Sequence, residues 1–339
     1  MGIVRAAKRL ARKAEVALFE SWRLESAFRA ASAGRDTPIL VGPWVSEVGF
    51  ELLYWIPLLR KRFARLGVDP QRVVAVSRGG AARWYEGIAE RYVDLFDLVS
   101  VDEFLHGNEA RESSNGEKKQ FAPSRFEREL IHRVQNHLGL QRCPLLHPSA
   151  MYRYFRSFWL GLRGEAHVLE ACDFSPLPAR YPPPSGLSLP ENYVAAKFYF
   201  SDCFPRSEAN LRFVEDLLTR LAEQSAVVLL NTGLALDDHR DSGPLRHPNI
   251  VDASQLMTPS TNLDLQSALV ARSRGLVATY GGFSYLGPLL GVPAMGIYSE
   301  RNFQPSHLAL AEAALNRSRP GLFSVLSTSD ALSQAWRGW

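Results

Sequence analysis

The sequence has few cysteines and no pattern that would pair them. Its 339 residues include only Cys143, Cys172 and Cys203, which lie far apart and show no CxxC spacing. We therefore expect neither a disulfide framework nor a zinc site, and a reducing compartment such as the cytoplasm fits best. The chain also lacks an apolar run of about 18 residues and the apolar core of a secretory signal, so neither a transmembrane helix nor a secretory signal is expected.

Several nucleotide and metal motifs are missing as well. Neither GxGxxG nor GxxxxGK[ST] occurs, which disfavours an ordinary dinucleotide site and a P-loop. No DxD triplet occurs, and Asp237, Asp238 and His239 belong to a polar loop in which such a cluster is usually solvated. We therefore predict no metal site. The net charge of +4 is too small to indicate nucleic acid as a partner.

What basic charge there is gathers near the N-terminus. Residues 1–33 have apolar residues at helical spacing, and the first turns are crowded with Arg5, Lys8, Arg9, Arg12 and Lys13. A basic amphipathic helix of this kind can lie on an anionic membrane surface. The other interpretation is a helix packed on its own domain with a solvated basic face.

The rest of the chain alternates apolar strands with helical segments, which is typical of parallel sheets covered on both faces. Residues 175–190 contain six prolines, which predicts an irregular linker. We predict an α/β protein with an N-terminal helix (1–35), a first doubly wound, Rossmann-like domain (36–175), a linker (176–191) and a second such domain (192–339). The two domains are expected to face a cleft.

Some finer expectations concern the first half. A helix from Leu52 to Gly67 should kink or break near Pro57. A helix is predicted for 81–92, a strand for 96–101, and a surface loop for 107–119, which is polar and contains Ser-Ser-Asn-Gly. Ser124 with Glu127 three residues later predicts a capped helix.

A glycine turn late in the chain is the best candidate for a phosphate site. The apolar run Gly275–Ala278 leads into Thr279, Tyr280, Gly281, Gly282, Phe283 and Ser284. Ligands of open α/β sheets bind beyond the carboxyl ends of the strands. Backbone amides at the two glycines, with the hydroxyls of Thr279 and Ser284, could hold phosphate oxygens. The alternative is a plain turn whose glycines serve geometry alone.

Two other strand ends in the second half carry polar residues. Lys197 and Arg206 could neutralise a diphosphate, and Asn231 and Thr232 end the next strand. We predict donor-binding roles for all four. Lys197 could equally be a lysine whose aliphatic stem covers a sheet edge.

In the first half, the corresponding stretch runs from Gly42 to Glu51. Glu47 and Glu51 are four residues apart, hence on one helix face, and are our candidates for a general base. Carboxylates also simply favour a helix N-terminus. His147 and His307 are alternative bases, and a nucleophilic Cys203 is disfavoured. Predicted acceptor-binding residues are Gly42, Trp44, Gly49, Tyr54 and Arg78, although the aromatic ones could equally be core.

Residues 190–300 resemble the donor-binding half of GT-B glycosyltransferases. The resemblance rests on a strand ending in Asn231-Thr232-Gly233, a helix from Asn262, the turn Thr279–Ser284 and the later Leu-Gly-Val-Pro at 290–293. Gly281, Gly282 and Ser284 match the position that meets the donor phosphates in such enzymes. The stretch 42–55 is similar in placement to their acceptor-side loop.

The resemblance implies transfer of a sugar from a nucleotide-sugar donor to a saccharide or lipid-linked acceptor, in polysaccharide or glycoconjugate synthesis, with no bound metal and no cofactor. Glu47 would be the base, and residues 1–33 would hold the enzyme at the cytoplasmic face of a membrane. A sugar-nucleotide epimerase of the same architecture and a non-enzymatic nucleotide-sugar-binding protein remain alternatives.

Overall fold

Two parallel β-sheets, one from each half of the chain, form the framework of the protein. The structure is a computed structural model that describes residues 19–34, 36–115, 119–140, 142–184, 186, 188–234 and 240–334. Helices lie between successive strands, and the α/β prediction is confirmed. In both sheets the central strands are buried along their whole length, as expected for parallel strands covered on both faces.

The first sheet has four strands in the order β3-β2-β1-β4. They are β1 (Ile39–Val41), β2 (Val73–Ser77), β3 (Arg91–Asp94) and β4 (Leu145–Leu146). All three pairings are parallel. The carboxyl ends of β1 and β2 therefore meet at one edge of the sheet, where the 42–51 and 78–80 segments begin.

The second sheet has six parallel strands in the order β12-β11-β10-β5-β7-β9. They are β5 (Tyr193–Lys197), β7 (Ala226–Leu229), β9 (Ile250–Asp252), β10 (Gly275–Thr279), β11 (Ala294–Tyr298) and β12 (Phe323–Ser327). Numbered along this half, the order is 3-2-1-4-5-6 read from β9, the doubly wound arrangement. Successive strands are added on one side of β5 up to β9 and on its other side from β10 onward. Ligands of doubly wound sheets bind at such a switch point in strand order. A short antiparallel pair, β6 (Tyr199–Phe200) with β8 (Arg240–Asp241), extends β5.

Thirteen helices are found in the described residues. They are α1 (19–32), α2 (Val48–Phe50), α3 (Ile56–Leu66), α4 (Val101–Asn115), α5 (Arg125–His137), α6 (Ser149–Tyr154), α7 (Arg156–Trp159), α8 (Ala166–Ala171), α9 (Glu208–Gln224), α10 (Asn262–Ala271), α11 (Leu286–Leu289), α12 (Pro305–Leu315) and α13 (Thr328–Gln334). The predicted capping box of α5 is present, with Ser124 and Glu127 bonded reciprocally.

The predicted break near Pro57 is a π-helical segment. Residues Glu51–Trp55 form the π turn that joins α2 to α3. Proline has no N–H to give the preceding turn, and π turns are a recognised cause of irregularity in long helices. The segment ends where predicted, at Gly67, whose φ is 62°.

Three expectations for the first half were wrong. Residues 81–92 are not a helix, since a 3-10 turn (Ala81–Tyr85) is followed by strand β3. Residues 96–101 are not a strand but lead from a 3-10 turn (Leu95–Asp97) into α4. The predicted loop at 107–119 is largely helical up to Asn115. Local polarity suggested a loop there, but Phe104 and Arg111 are buried, so tertiary packing overrides it.

The described chain ends contain part of the predicted N-terminal helix and two elements that were not predicted. The described part of the N-terminal helix, α1, packs on α3: Leu24 and Phe28 are buried, and Arg62 donates to Glu25 over 2.8 Å. The basic residues of the predicted membrane face, Arg5 to Lys13, lie outside the described residues. Strand β12 and helix α13 were not predicted at all. Among the described residues between Ala171 and Tyr193 there is no helix or strand, in keeping with the prolines.

Glu51 lies in the core of the first half, inside the π segment. Its side chain is fully buried, and its Oε1 accepts hydrogen bonds from Ser77 Oγ and Tyr85 Oη, both 2.6 Å. Burial raises the pKa of Glu51 to about 7, against the opposing hydrogen bonds and the charge of Arg78. A carboxyl so enclosed is a structural group, and the prediction of a catalytic role for Glu51 is corrected.

We predict that Glu51→Gln removes a pH dependence of stability. The folded pKa is raised above the ordinary 4.5, so the folded state must ionise a buried acid as pH rises through 7. The free energy of unfolding of the variant minus that of wild type should therefore increase by about 2–3 kcal/mol between pH 5 and pH 8. Chemical denaturation at both pH values measures this, with exposed Glu90→Gln as control. A difference that stays constant with pH would contradict it.

Candidate functional site

A cavity of about 590 Å³ lies between the two halves, at the carboxyl ends of both sheets. From the first half it is lined by the 47–54 segment, Arg78 and Lys119. From the second half it is lined by the residues that follow β5, β7, β10 and β11, and by the start of α10. The β5–β10 switch point opens directly into it, as the strand-end rule requires.

The backbones of the two halves approach each other closely at a pair of glycines that line the cavity. A Cβ built on Gly49 would lie 2.6 Å from Gly282 Cα, and one built on Gly282 would lie 2.3 Å from Gly49 N. Real Cβ atoms are not found so near backbone, so neither position accepts a side chain without movement of the halves. Gly49 and Gly282 both line the cavity, and the approach of the backbones explains both glycines.

Gly281 is needed for a different reason. Its φ of 145° and ψ of −162° fall in a region that side chains rarely adopt. A Cβ there would also lie 2.6 Å from Tyr199 Oη. The residue turns the chain from β10 into a short 3-10 segment (Gly282–Tyr285), as the predicted strand–glycine–helix unit requires.

The two hydroxyls of this turn are used inside the fold. Thr279 Oγ1 accepts from Tyr199 N over 3.1 Å and donates to Tyr199 O over 2.8 Å. Ser284 Oγ donates to Gly281 O over 2.7 Å. Both side chains are fully buried and neither residue lines the cavity. The expectation that these hydroxyls hold phosphate oxygens is therefore corrected: their role in the described structure is to shape the turn.

Lys197 is the buried cation of the second half. Its Nζ donates to Leu230 O over 3.0 Å and to Asp241 Oδ1 over 2.5 Å, and it lies 5.8 Å from the Phe283 ring centre. Asp241 Oδ2 in turn accepts from Thr232 N over 2.7 Å. The β6–β8 pairing brings Asp241 to this position. The cavity is lined by Lys197, Thr232, Asp241 and Phe283, whereas Leu230 lies behind them.

Two other predicted donor residues lie elsewhere. Arg206 is exposed, with its guanidinium 6.0 Å from the Phe200 ring centre, and does not line the cavity. Asn231 is buried behind the wall, where its amide donates to Gly243 O over 3.0 Å. Both follow the correct strands, but their side chains point away, so their predicted donor contacts are corrected.

The first half contributes one carboxylate to the cavity. Glu47 is half-buried, lines the cavity and immediately precedes α2, whose N-terminus favours a negative charge. Arg78 is 5% exposed and donates to Ser46 O over 2.7 Å. That bond fixes the residue next to Glu47. The structure thus brings Glu47, Arg78, Gly49 and Tyr54 together.

Trp44 and Gly42 are structural. Trp44 is fully buried and stacks on Trp55 and Tyr152, with ring centres 6.2 and 6.0 Å apart. A Cβ on Gly42 would lie 2.4 Å from Val76 O. Neither lines the cavity, so their predicted acceptor contacts are corrected.

Tyr54, a predicted acceptor-binding residue, lines the cavity together with Phe50 and His307. Tyr54 Oη lies 3.0 Å from His307 Nδ1, and Phe50 packs 5.6 Å from the His307 ring. Lys119 Nζ lies 5.3 Å from the Phe50 ring centre. Burial, followed by the charge of Lys119, lowers the pKa of His307 to about 4, so its imidazole is neutral at neutral pH.

His307, one of the two alternative bases considered from the sequence, belongs to α12 and lines the cavity. The sequence interpretation missed several other lining residues. Lys119, Asn262 and Gln266 come from a loop and a helix, where no motif marks them. Cys203 lines the cavity, and its Sγ donates to Tyr280 O over 3.3 Å.

The described residues contain neither a cluster of metal ligands nor a helix able to cross a membrane. No group of three or more His, Cys, Asp or Glu there is placed to hold a metal ion. Asp237, Asp238 and His239 fall outside those residues. None of the helices seen there has the length and apolar character needed to cross a membrane.

No protein-family model matches the chain, and no curated protein matches its sequence. In fold it is similar to solved glycosyltransferases. The E. coli ADP-heptose LPS heptosyltransferase II aligns at TM-score 0.45 and 15% identity, over 86% of this chain and 90% of that one. A glycosyl transferase of family 9 from Veillonella parvula gives 0.45 and 12%, over 88% and 87%. E. coli heptosyltransferase WaaC with ADP gives 0.39 and 13%, over 88% and 96%. At these values the likeness alone establishes no activity for this chain.

Proposed function

We propose that the protein is a glycosyltransferase of GT-B type, which moves a sugar from a nucleotide-sugar donor to a hydroxyl acceptor. One observation carries the proposal: a single cavity spans the carboxyl ends of two parallel sheets, at the switch point of a doubly wound one. Two substrates would then approach each other from opposite halves. The volume of the cavity lies within the range of small-molecule sites, roughly 300–1,000 Å³.

The donor would lie against the second half. Lys197 supplies a fixed positive charge beside the glycine turn, where the diphosphate leaving group gains charge in the transition state. Because Asp241 and Leu230 O already hold its ammonium, little reorganisation is needed. In this proposal no metal ion and no cofactor takes part, and the positive charge of Lys197 stabilises the departing diphosphate.

The acceptor would lie against the first half, near the Phe50, Tyr54 and His307 rings. Glu47 would take the proton from the attacking hydroxyl, since it lines the cavity from that side. His307 is neutral at neutral pH and lines the same cavity, so it is the second candidate base.

A thermal-shift screen tests the proposal. Wild-type protein is mixed with ADP, UDP, GDP and dTDP, and with the matching sugar nucleotides. We expect stabilisation by one nucleotide family and release of the diphosphate only when an acceptor is added. Turnover of a nucleotide sugar without acceptor would favour the epimerase alternative instead. The absence of any shift would favour a non-enzymatic role.

We further propose that the enzyme works in the cytoplasm, held at the membrane by its N-terminal helix where saccharide or lipid-linked acceptors are made. On α1 the side opposite the packed one exposes Phe19 (51%) and Trp22 (65%), and Arg23 lies 4.2 Å from the Phe19 ring centre. Aromatic and basic residues together suit the interface of an anionic bilayer.

We predict that Lys197→Met weakens binding of the nucleoside diphosphate about 10- to 100-fold, because a hydrogen bond to a charged group contributes about 1.5–3 kcal/mol. Calorimetry measures the affinity. The double variant Lys197→Met/Asp241→Asn controls for a carboxylate left without its partner. Arg206→Met, an exposed cation outside the cavity, should bind as wild type. Equal losses in Arg206→Met and Lys197→Met would contradict the assignment.

We predict that Glu47→Gln lowers kcat of sugar transfer by at least about 100-fold while donor affinity is retained, since a general base contributes about 10²–10⁴-fold. Steady-state kinetics and calorimetry measure the two quantities, with exposed Glu90→Gln as control. Normal turnover in Glu47→Gln would pass the role of base to His307.

We predict that Trp22→Ala reduces binding of the full chain to vesicles rich in anionic lipid by roughly ten-fold, because burying an aromatic ring contributes about 1.5–3 kcal/mol. Co-sedimentation measures binding. Leu160→Ala, also exposed (62%) but in another part of the fold, is the matched control. Binding that both substitutions leave unchanged would sink the membrane proposal.

A further inference from the structure

Two residues that line the cavity each have one buried side-chain atom without a hydrogen-bond partner. Within the described residues, ten buried side-chain atoms lack a partner, and only Arg78 Nε and Gln266 Oε1 among them belong to residues that line the cavity. Their residues are 5% and 1% exposed. A buried donor or acceptor left without a partner destabilises the fold, and each such group calls for an explanation.

The orientation of the Gln266 amide is fixed by backbone. Its Nε2 donates to Asn262 O over 3.0 Å, one turn earlier on α10. Asn262 is itself held, because its Nδ2 donates to Pro259 O over 2.7 Å. Only a nitrogen can donate to these carbonyls, so the remaining Gln266 atom is an oxygen, an acceptor without a donor.

Arg78 is held against the same end of α10. The carbonyl of the next residue, Gly79, accepts from Leu263 N over 2.7 Å and from Asp264 N over 3.2 Å. A Cβ on Gly79 would lie 3.2 Å from Asn262 Nδ2. Arg78 and the Asn262–Gln266 amide pair therefore belong to one seam between the halves, and Leu263 of the same seam also lines the cavity.

The two atoms together select the chemistry of their ligand. Arg78 Nε needs an acceptor and Gln266 Oε1 needs a donor. Sugar hydroxyls do both, whereas ionised phosphate oxygens only accept and would be repelled by the amide oxygen. Asn302 and Gln304 add two more amides to the cavity lining. The seam is thus suited to a neutral, hydroxyl-bearing ring.

Its position indicates which ring. The Arg78 guanidinium also holds Ser46 O, next to Glu47, so the seam adjoins the proposed base. In the proposed reaction Glu47 takes the proton of the acceptor hydroxyl, and the carbon that this hydroxyl attacks belongs to the transferred sugar, which therefore also lies beside the base. We propose that Arg78 and Gln266 read the hydroxyl groups of the transferred sugar, and so decide which nucleotide sugar is used. This inference rests on the proposed function and deepens it.

Binding of nucleotide sugars and of their diphosphates tests the inference. The probes are UDP, ADP, GDP and dTDP, then UDP-glucose, ADP-glucose, GDP-mannose and dTDP-glucose, and deoxy-sugar forms of whichever binds wild type most tightly. Wild type should lose about 10- to 100-fold in affinity when one sugar hydroxyl is removed. In Gln266→Met the same removal should cost less than about two-fold. Affinity for the diphosphate alone should be the same in both proteins.

The ligand-side comparison on wild type needs no variant, so it stands even where Gln266→Met fails to fold. Gln224→Met, exposed at the end of α9, controls for the substitution. Equal losses for the diphosphate and the nucleotide sugar in Gln266→Met would mean that the seam reads the nucleotide, and would overturn the inference. So would deoxy-sugars that bind wild type unchanged. If wild type binds no nucleotide sugar, the proposed function falls first and the inference with it.

Discussion

The contact between the backbones at Gly49 and Gly282 is the constraint on which the site depends. It joins the segment after β1 to the turn after β10, and leaves no room for a side chain on either residue. On one side of this contact lies Glu47, and on the other lies Gly281 with Lys197 close by. Since Glu47 belongs to one half and Lys197 to the other, the base and the cation of the proposed reaction line one cavity only where the two halves are in contact.

The same constraint corrects how a glycine turn is interpreted from sequence. Two adjacent glycines beside a threonine and a serine suggest a phosphate cradle. In the structure, Gly281 is required by its φ of 145°, and Gly282 is required because the backbone of Gly49 lies against it. The Thr279 and Ser284 hydroxyls form hydrogen bonds within the fold. A glycine pattern therefore indicates a backbone that another group approaches closely, and at Gly282 that group is the backbone of Gly49 in the other half of the chain. The sequence near the turn carries no trace of its distant partner.

What could be predicted followed from strand ends. Parallel strands place their carboxyl ends at one edge, so Glu47, Arg78, Lys197 and the glycine turn were found by position alone. The direction of a side chain after a strand was not predictable from sequence. Arg206 and Asn231 were therefore predicted as donor-binding residues, although Arg206 is exposed to solvent and Asn231 is buried in the protein interior. Residues from helices and loops, such as Gln266 and Lys119, reach the cavity through packing between the halves, and no local pattern encodes that. The α4 helix was missed for the same reason, since its stability comes from buried Phe104 and Arg111 rather than from apolar spacing.

The charge of the cavity lining bears on what it can select. Arg78, Lys119 and Lys197 face Glu47, Asp202 and Asp241, so the formal charges of these lining residues cancel. Lys197 is held by Asp241, and its charge stays in position without a ligand to draw it there. In the proposed reaction such a lining would attract a diphosphate only locally, at the cation beside the turn, and would add little long-range attraction. Discrimination between donors would then come from short, directional contacts, and among the described lining residues Arg78 and Gln266 are the two with a buried, unpartnered polar atom.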